Sequence, residues 1–122
     1  MLTAYIAKHE LSPISRSIDI HDILKGAQKI TQGFGVGIAP HHHATHLRFF
    51  KIRIGAKHCA RMVAVVPIEN TQKVVPVLIR LKKDKKMGMN MSMSNSAVLE
   101  QINYNVDQVI EDIKRKRYQE FE

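Results

Sequence analysis

Three fixed cations stand on two strand-like runs in the middle of the chain. Residues 48–66 read RFFKIRIGAKHCARMVAVV. The runs Leu47–Ile54 and Arg61–Val66 are joined by a short polar turn, and Lys51, Arg53 and Arg61 occupy positions where a half-buried sheet ordinarily carries neutral residues. Side chains alternate along a strand. Phe50, Ile52 and Ile54 should therefore face one way, and Phe49, Lys51 and Arg53 the other. Arg61 shares its face with Val63 and Val65, and Arg80 shares one with Lys82 on a third run. One sheet face is then apolar, while the other presents Lys51, Arg53, Arg61 and Arg80. Arginine offers a planar fork of donors that matches the oxygens of a phosphate. The plainer alternative is a solvated outer face, where Lys and Arg are common and protect sheet edges.

Other residues with chemical potential lie in loops. HHHATH, residues 41–46, places His41, His42, His43 and His46 close together, and imidazole suits zinc, nickel and copper. No CxxC pair accompanies them, and a polar loop after a Gly-rich segment explains them as well. MGMNMSM carries Met87, Met89, Met91 and Met93, thioethers that bind soft copper(I) or pack onto a core. GFGVG, residues 33–37, lacks the GK[ST] ending of a phosphate loop. Cys59 adjoins His58, but neighbours on an extended chain point apart, which argues against a nucleophile and base pair.

The charge distribution favours a polyanionic partner. The chain of 122 residues has a net charge of +8. Between Arg48 and Lys86 there are eleven Lys or Arg and two acids, Glu69 and Asp84, a balance of +9; the remainder is −1. Clustered positive charge is the electrostatic footprint of nucleic-acid binding, since neutralising phosphates releases counterions. The length suits one domain over residues 1–122, and 44% apolar residues suffice for a core. No apolar run approaches the length of a membrane span, and the N-terminus lacks the pattern of a signal peptide. The lone Cys59 suits a reducing cytoplasm.

The elements that must position these residues are legible from periodicity. Leu2–Ala7 reads as a short strand, followed by a loop around Pro13. Ile20–Thr31 reads as an amphipathic helix with Asp19 as N-cap. Glycines 33, 35 and 37 end it and open a flexible connection through Pro40. Three strands follow, over Leu47–Ile54, Arg61–Ile68 and Val74–Leu81, with short spacings that favour antiparallel hairpins. Pro76 argues for an edge or a bulge in the third. Residues 82–96 read as a basic polar loop. A second helix carries Leu99, Ile102, Val106, Val109, Ile110 and Ile113 as its apolar stripe and ends in KRKR. The expected class is α+β, a small antiparallel sheet with helices packed on one face.

The stretch FFKIR at 49–53, Arg61 before MVAVV, and KVVPVLIRLKK at 73–83 resemble the RelE/ParE-like toxin superfamily of bacterial toxin–antitoxin modules. The resemblance covers roughly residues 47–90 and implies a RelE-like fold. In mRNA-cleaving members, alternating strand cations and an Arg that opens the next strand hold the scissile phosphate. Lys51, Arg53 and Arg61 match these groups, and Lys83 is the choice for the basic residue after the third strand. The Tyr that often completes the family site has no counterpart in residues 87–93. His58, in the turn before Arg61, is the group available for proton transfer, since imidazole titrates near neutrality. Arg80, Lys82, Lys85 and Lys86 would extend the RNA-binding surface.

The resemblance implies a metal-independent, cofactor-free endoribonuclease acting on ribosome-associated mRNA in the cytoplasm. Its partners would be mRNA, the ribosome and an acidic cognate antitoxin; a homodimer is left open. A ParE-like inhibitor of gyrase, a non-catalytic basic nucleic-acid-binding protein and a His/Met-loop metal binder are the alternatives.

Overall fold

The computed structural model describes residues 1–84 and 91–121. Lys85, Lys86, Met87 and Met89, expected to contribute to RNA or metal binding, lie outside them. The fold is α+β, as expected. Strand β1 is Leu2–Thr3, followed by helix α1, Ala4–Ile6, which continues as a π-helical turn to Leu11 and a 3₁₀ turn to Ile14. Next come α2 (Ile20–Thr31), β2 (Val36–Ile38), β3 (Leu47–Ile54), β4 (Ala60–Pro67), β5 (Val75–Leu81), α3 (Ser96–Lys114) and β6 (Tyr118–Gln119). Strands β2-β3-β4-β5 form an antiparallel meander, and β1 pairs with β6.

Helix α2 has the expected bounds because its start is fully capped. The Asp22 amide donates to Asp19 Oδ1 (3.1 Å) and the Asp19 amide donates to Asp22 Oδ2 (3.0 Å), a reciprocal capping box. Gly26 allows the helix to lie close on the sheet. A Cβ there would sit 2.6 Å from Ile54 Cγ2 and 3.1 Å from Met62 Cε. The face bearing Ile52, Ile54 and Met62 is therefore the one that α2 covers.

Burial extends to the opposite face as well. Val63, Val65, Val75 and Leu78 are buried, and β4 is buried along nearly its whole length. Helix α3 packs along β5, with Asn105 Nδ2 donating to the Val77 carbonyl at 2.7 Å. Its buried stripe is Val98, Ile102, Val106 and Val109. Leu99 and Ile110 are only half-buried and Ile113 is exposed, because the polar Asn105 and Asp112 turn inward. The anticipated irregularity at Pro76 is present: Val63 pairs with Leu78, but Ala64 pairs with Pro76, a bulge on the edge strand β5.

The N-terminus departs from the expected strand over Leu2–Ala7. Only Leu2 and Thr3 are extended, because the Thr3 Oγ1 accepts the Ile6 amide and starts a helix. The Gly-rich connection also contains a strand: Val36–Ile38 pairs with Phe49–Lys51. Three residues are too few to display an alternating pattern, so the partner strand decides this pairing.

Glu10, on the π-helical turn, seals the outer edge of β5. Its side chain is 2% exposed, and Oε1 accepts the Ile79 amide at 2.9 Å and the Arg80 guanidinium. Burial pushes this carboxyl above its ordinary range, against the pull of those two donors. Removing the carboxylate strands a buried amide and a half-buried Arg80. Glu10→Ala should therefore cost about 3 kcal/mol in denaturant unfolding at neutral pH. Glu10→Gln, which keeps an acceptor for Ile79, should lose clearly less. Equal losses in the two variants would remove the edge-sealing role.

Candidate phosphate-binding site

The register sets three arginines side by side. Arg53 pairs with Arg61, and Arg61 pairs with Arg80, one row across β3, β4 and β5. Like charges directly opposed across strands are destabilising unless something neutralises them. Arg80 is neutralised: it pairs with Glu10 and lies 3.8 Å from Asp84. That engagement makes it a structural cation of the β5 edge, in contrast to the RNA-binding role expected of it. Neither Arg53 nor Arg61 has a carboxylate partner among the described residues.

Arg61 is the unusual member. It is 5% exposed, and its Nη1 donates only to backbone carbonyls, those of His58 (3.3 Å) and Ala60 (3.5 Å). Burial, then the Arg53 charge, lowers the affinity of its guanidinium for a proton. Lys51 lies on the same face, two residue pairs along. Burial and the Arg61 charge push its ammonium below the ordinary lysine value. Three cations thus share one end of a sheet face, Arg61 buried, Lys51 half-buried and Arg53 exposed, and they repel one another.

These cations line a groove of about 520 Å³ together with His58, Lys29, Phe34 and Val36. It opens where β2 ends: β2 covers β3 only from Phe49 to Lys51, leaving the outer edge beyond Lys51 without a neighbouring strand. A second groove of about 360 Å³ adjoins it, sharing Lys29, Arg53 and His58 and adding Lys25 and Lys57. Among the described residues Asp22 is the one acid lining either groove, and the capping box already engages it.

The turn between β3 and β4 aims His58 into both grooves. Gly55 has φ +85°, and a Cβ there would meet Ile18 Cδ1 at 2.5 Å, so the turn requires glycine. Lys57 and His58 follow with φ of 54° and 53°, left-handed values that cost non-glycine residues roughly 1 kcal/mol each. His58 is held by this backbone while its carbonyl anchors Arg61.

The expected residues therefore divide. Lys51, Arg53, His58 and Arg61 come together in one groove. Lys83 does not line it; it stands exposed in the turn after β5. Lys82 is also exposed, and its amide donates to the Cys59 carbonyl (2.7 Å). Lys29, Phe34 and Val36 were not foreseen. Lys29 sits in the last turn of α2, and nothing in a linear sequence brings that turn to β3.

The histidine loop builds a clamp. His42 Nδ1 accepts the Ala44 amide (3.0 Å), so Nε2 carries the proton donated to Asp107 Oδ1 (2.9 Å). His43 stacks on His42 with ring centroids 4.2 Å apart. His42, His43 and Asp107 place a donor atom each within 4.8 Å, a possible metal-ligand set that omits His41 and His46. A metal on His42 Nε2 would force the ring proton onto Nδ1, against the Ala44 N–H. The methionines within the described residues serve packing: Met91 is buried and Met93 packs against the core.

Comparison with family models, with curated proteins and with solved structures finds no match to this chain. No helix among the described residues is long and apolar enough to cross a membrane.

Two consequences of the cation cluster are measurable. Inorganic phosphate should raise the melting temperature of the wild type, and Arg61→Met should abolish that rise. Lys51 also links stability to pH. Its folded pKa lies below the unfolded value of 10.5, so in the window between them the unfolded chain binds more protons. Stability should therefore rise with pH as that window is crossed. The rise should be smaller in Arg61→Met, which lacks one of the two causes; identical profiles for both proteins would disprove the coupling.

Proposed function

We propose that this chain acts on RNA, with the Lys51–Arg53–Arg61 groove holding a phosphodiester and His58 moving the proton. The observation that carries this reading is Arg61, a buried arginine without a carboxylate partner among the described residues, set beside two further cations and an exposed imidazole. An anion at that position relieves the repulsion among the cations, and the twofold fork of Arg61 fits its oxygens. During cleavage the ribose 2′-oxygen attacks the phosphorus and the 5′-oxygen leaves. The negative charge that grows on the phosphoryl oxygens is stabilised by cations already in place. His58 takes the 2′-hydroxyl proton while solvent water protonates the leaving oxygen, or protonates the leaving oxygen while water takes the 2′-hydroxyl proton. The products are a 2′,3′-cyclic phosphate and a 5′-hydroxyl.

This is the chemistry of RelE-like toxins, and the placement of Lys51, Arg53 and Arg61 supports assigning the chain to that group. An acidic antitoxin segment that lies over the groove would neutralise it. A second reading, phosphate binding without cleavage, draws on two observations: Lys83 stays outside the groove, and no tyrosine among the described residues lines it. A cell-free translation reaction with new 5′ ends mapped by primer extension separates the two. The proposal expects discrete new ends with wild type. It expects none with Arg61→Ala, and a loss on the order of 10²-fold with His58→Ala. Intact mRNA with folded wild-type protein would overturn the nuclease reading and leave salt-dependent binding as the function to measure.

A further inference from the structure

Phe34 is 61% exposed, yet its backbone amide is tied to the end of α2. The Gly33 amide donates to the Ile30 carbonyl (3.1 Å) and the Phe34 amide to the Lys29 carbonyl (2.9 Å), the paired bonds of a Schellman motif ending α2. Gly33 and Gly35, with φ of +93° and +97°, flank it. In such a motif the residue at the Phe34 position commonly packs back on an apolar residue of the last helical turns. Here those positions are Lys29 and Gln28, so the ring has no apolar seat there. It lines the same groove as Lys51, Arg53 and Arg61, next to the exposed Val36.

A rigidly mounted, solvent-facing aromatic beside a phosphate-holding cation cluster has the two parts of a single-stranded nucleic-acid site. Cations take the backbone, and the ring takes a base. A duplex keeps its bases stacked on each other and leaves the ring bare. We infer that Phe34 is the stacking platform for an unpaired nucleobase whose phosphate rests on the Arg61 cluster, so that the groove selects single-stranded over base-paired nucleic acid. This inference rests on the phosphate-binding reading of the groove.

The test measures binding of three probes by fluorescence anisotropy: a short single-stranded RNA, a fully abasic sugar–phosphate chain of the same length, and the same RNA as a duplex. Wild type should bind the single strand about tenfold more tightly than the abasic chain or the duplex. Phe34→Ala should reduce the single strand to the abasic level and leave the abasic affinity unchanged. Phe34→Trp should keep the preference, with its indole emission quenched on binding. Arg61→Ala should weaken all three probes. If Phe34→Ala changes nothing, or lowers the single strand and the abasic chain equally, the stacking role falls while the phosphate reading stands. Absence of any Arg61-dependent binding in wild type would overturn the phosphate reading, and the stacking role with it.

Discussion

The cross-strand row Arg53–Arg61–Arg80 is the constraint around which the molecule is organised. Antiparallel pairing of three strands brings their guanidinium-bearing residues into register, and like charges so placed oppose the sheet they stand on. The fold resolves this unevenly. At the β5 end, Glu10 on the first helical turn and Asp84 after the strand neutralise Arg80. At the β3 end no carboxylate among the described residues pairs with Arg53 or Arg61, and Lys51 adds a further cation. One end of the row is thus an ion-paired arginine, and the other is the groove proposed above to hold a phosphate.

What surrounds the β3 end is well defined. The β3–β4 turn carries two left-handed non-glycine residues, and the second, His58, both faces the groove and fastens Arg61 through its carbonyl. Helix α2 is capped at its start by Asp19 and Asp22 and terminated by the Gly33 motif, so Lys29 and Phe34 arrive at the groove on a fixed frame. Gly26 permits that approach by leaving room for Ile54 and Met62. Backbone strain and preorganised charge in one place are features that a purely structural sheet end does not need.

The periphery works differently. His42 joins the loop before β3 to Asp107 of α3, and its ring lies 6.3 Å from that of Phe49. Asp112 accepts the Tyr5 amide (2.7 Å) and pairs with Arg117 (3.1 Å), tying the start of the chain to the end of α3. In both places a single carboxylate of α3 holds a distant segment. The polar groups there satisfy one another.

Much of this was legible in the residues alone. The α+β class, the bounds of α2 with its Asp19 cap, the three long strands and the irregularity at Pro76 all follow from local signals: periodicity, capping chemistry and proline's missing donor. So does the gathering of Lys51, Arg53 and Arg61 on one face, because alternation along a strand is a local rule and adjacent hairpin strands fix their own register. The fate of Arg80 was not legible. Its neutralisation depends on Glu10, seventy residues away, and no local pattern announces that contact. Strand β2 was too short to show a pattern, and Leu2–Ala7 became mostly helical because a Thr3 cap outweighed a weak extended signal. Lys29 and Phe34 joined the site only because α2 docks over the β3 end. Residue types and strand periodicity thus determined that a basic strand pair exists. Tertiary structure alone decided that Arg80 is the member of the row with carboxylate partners, since charge compensation is a matter of distance in space.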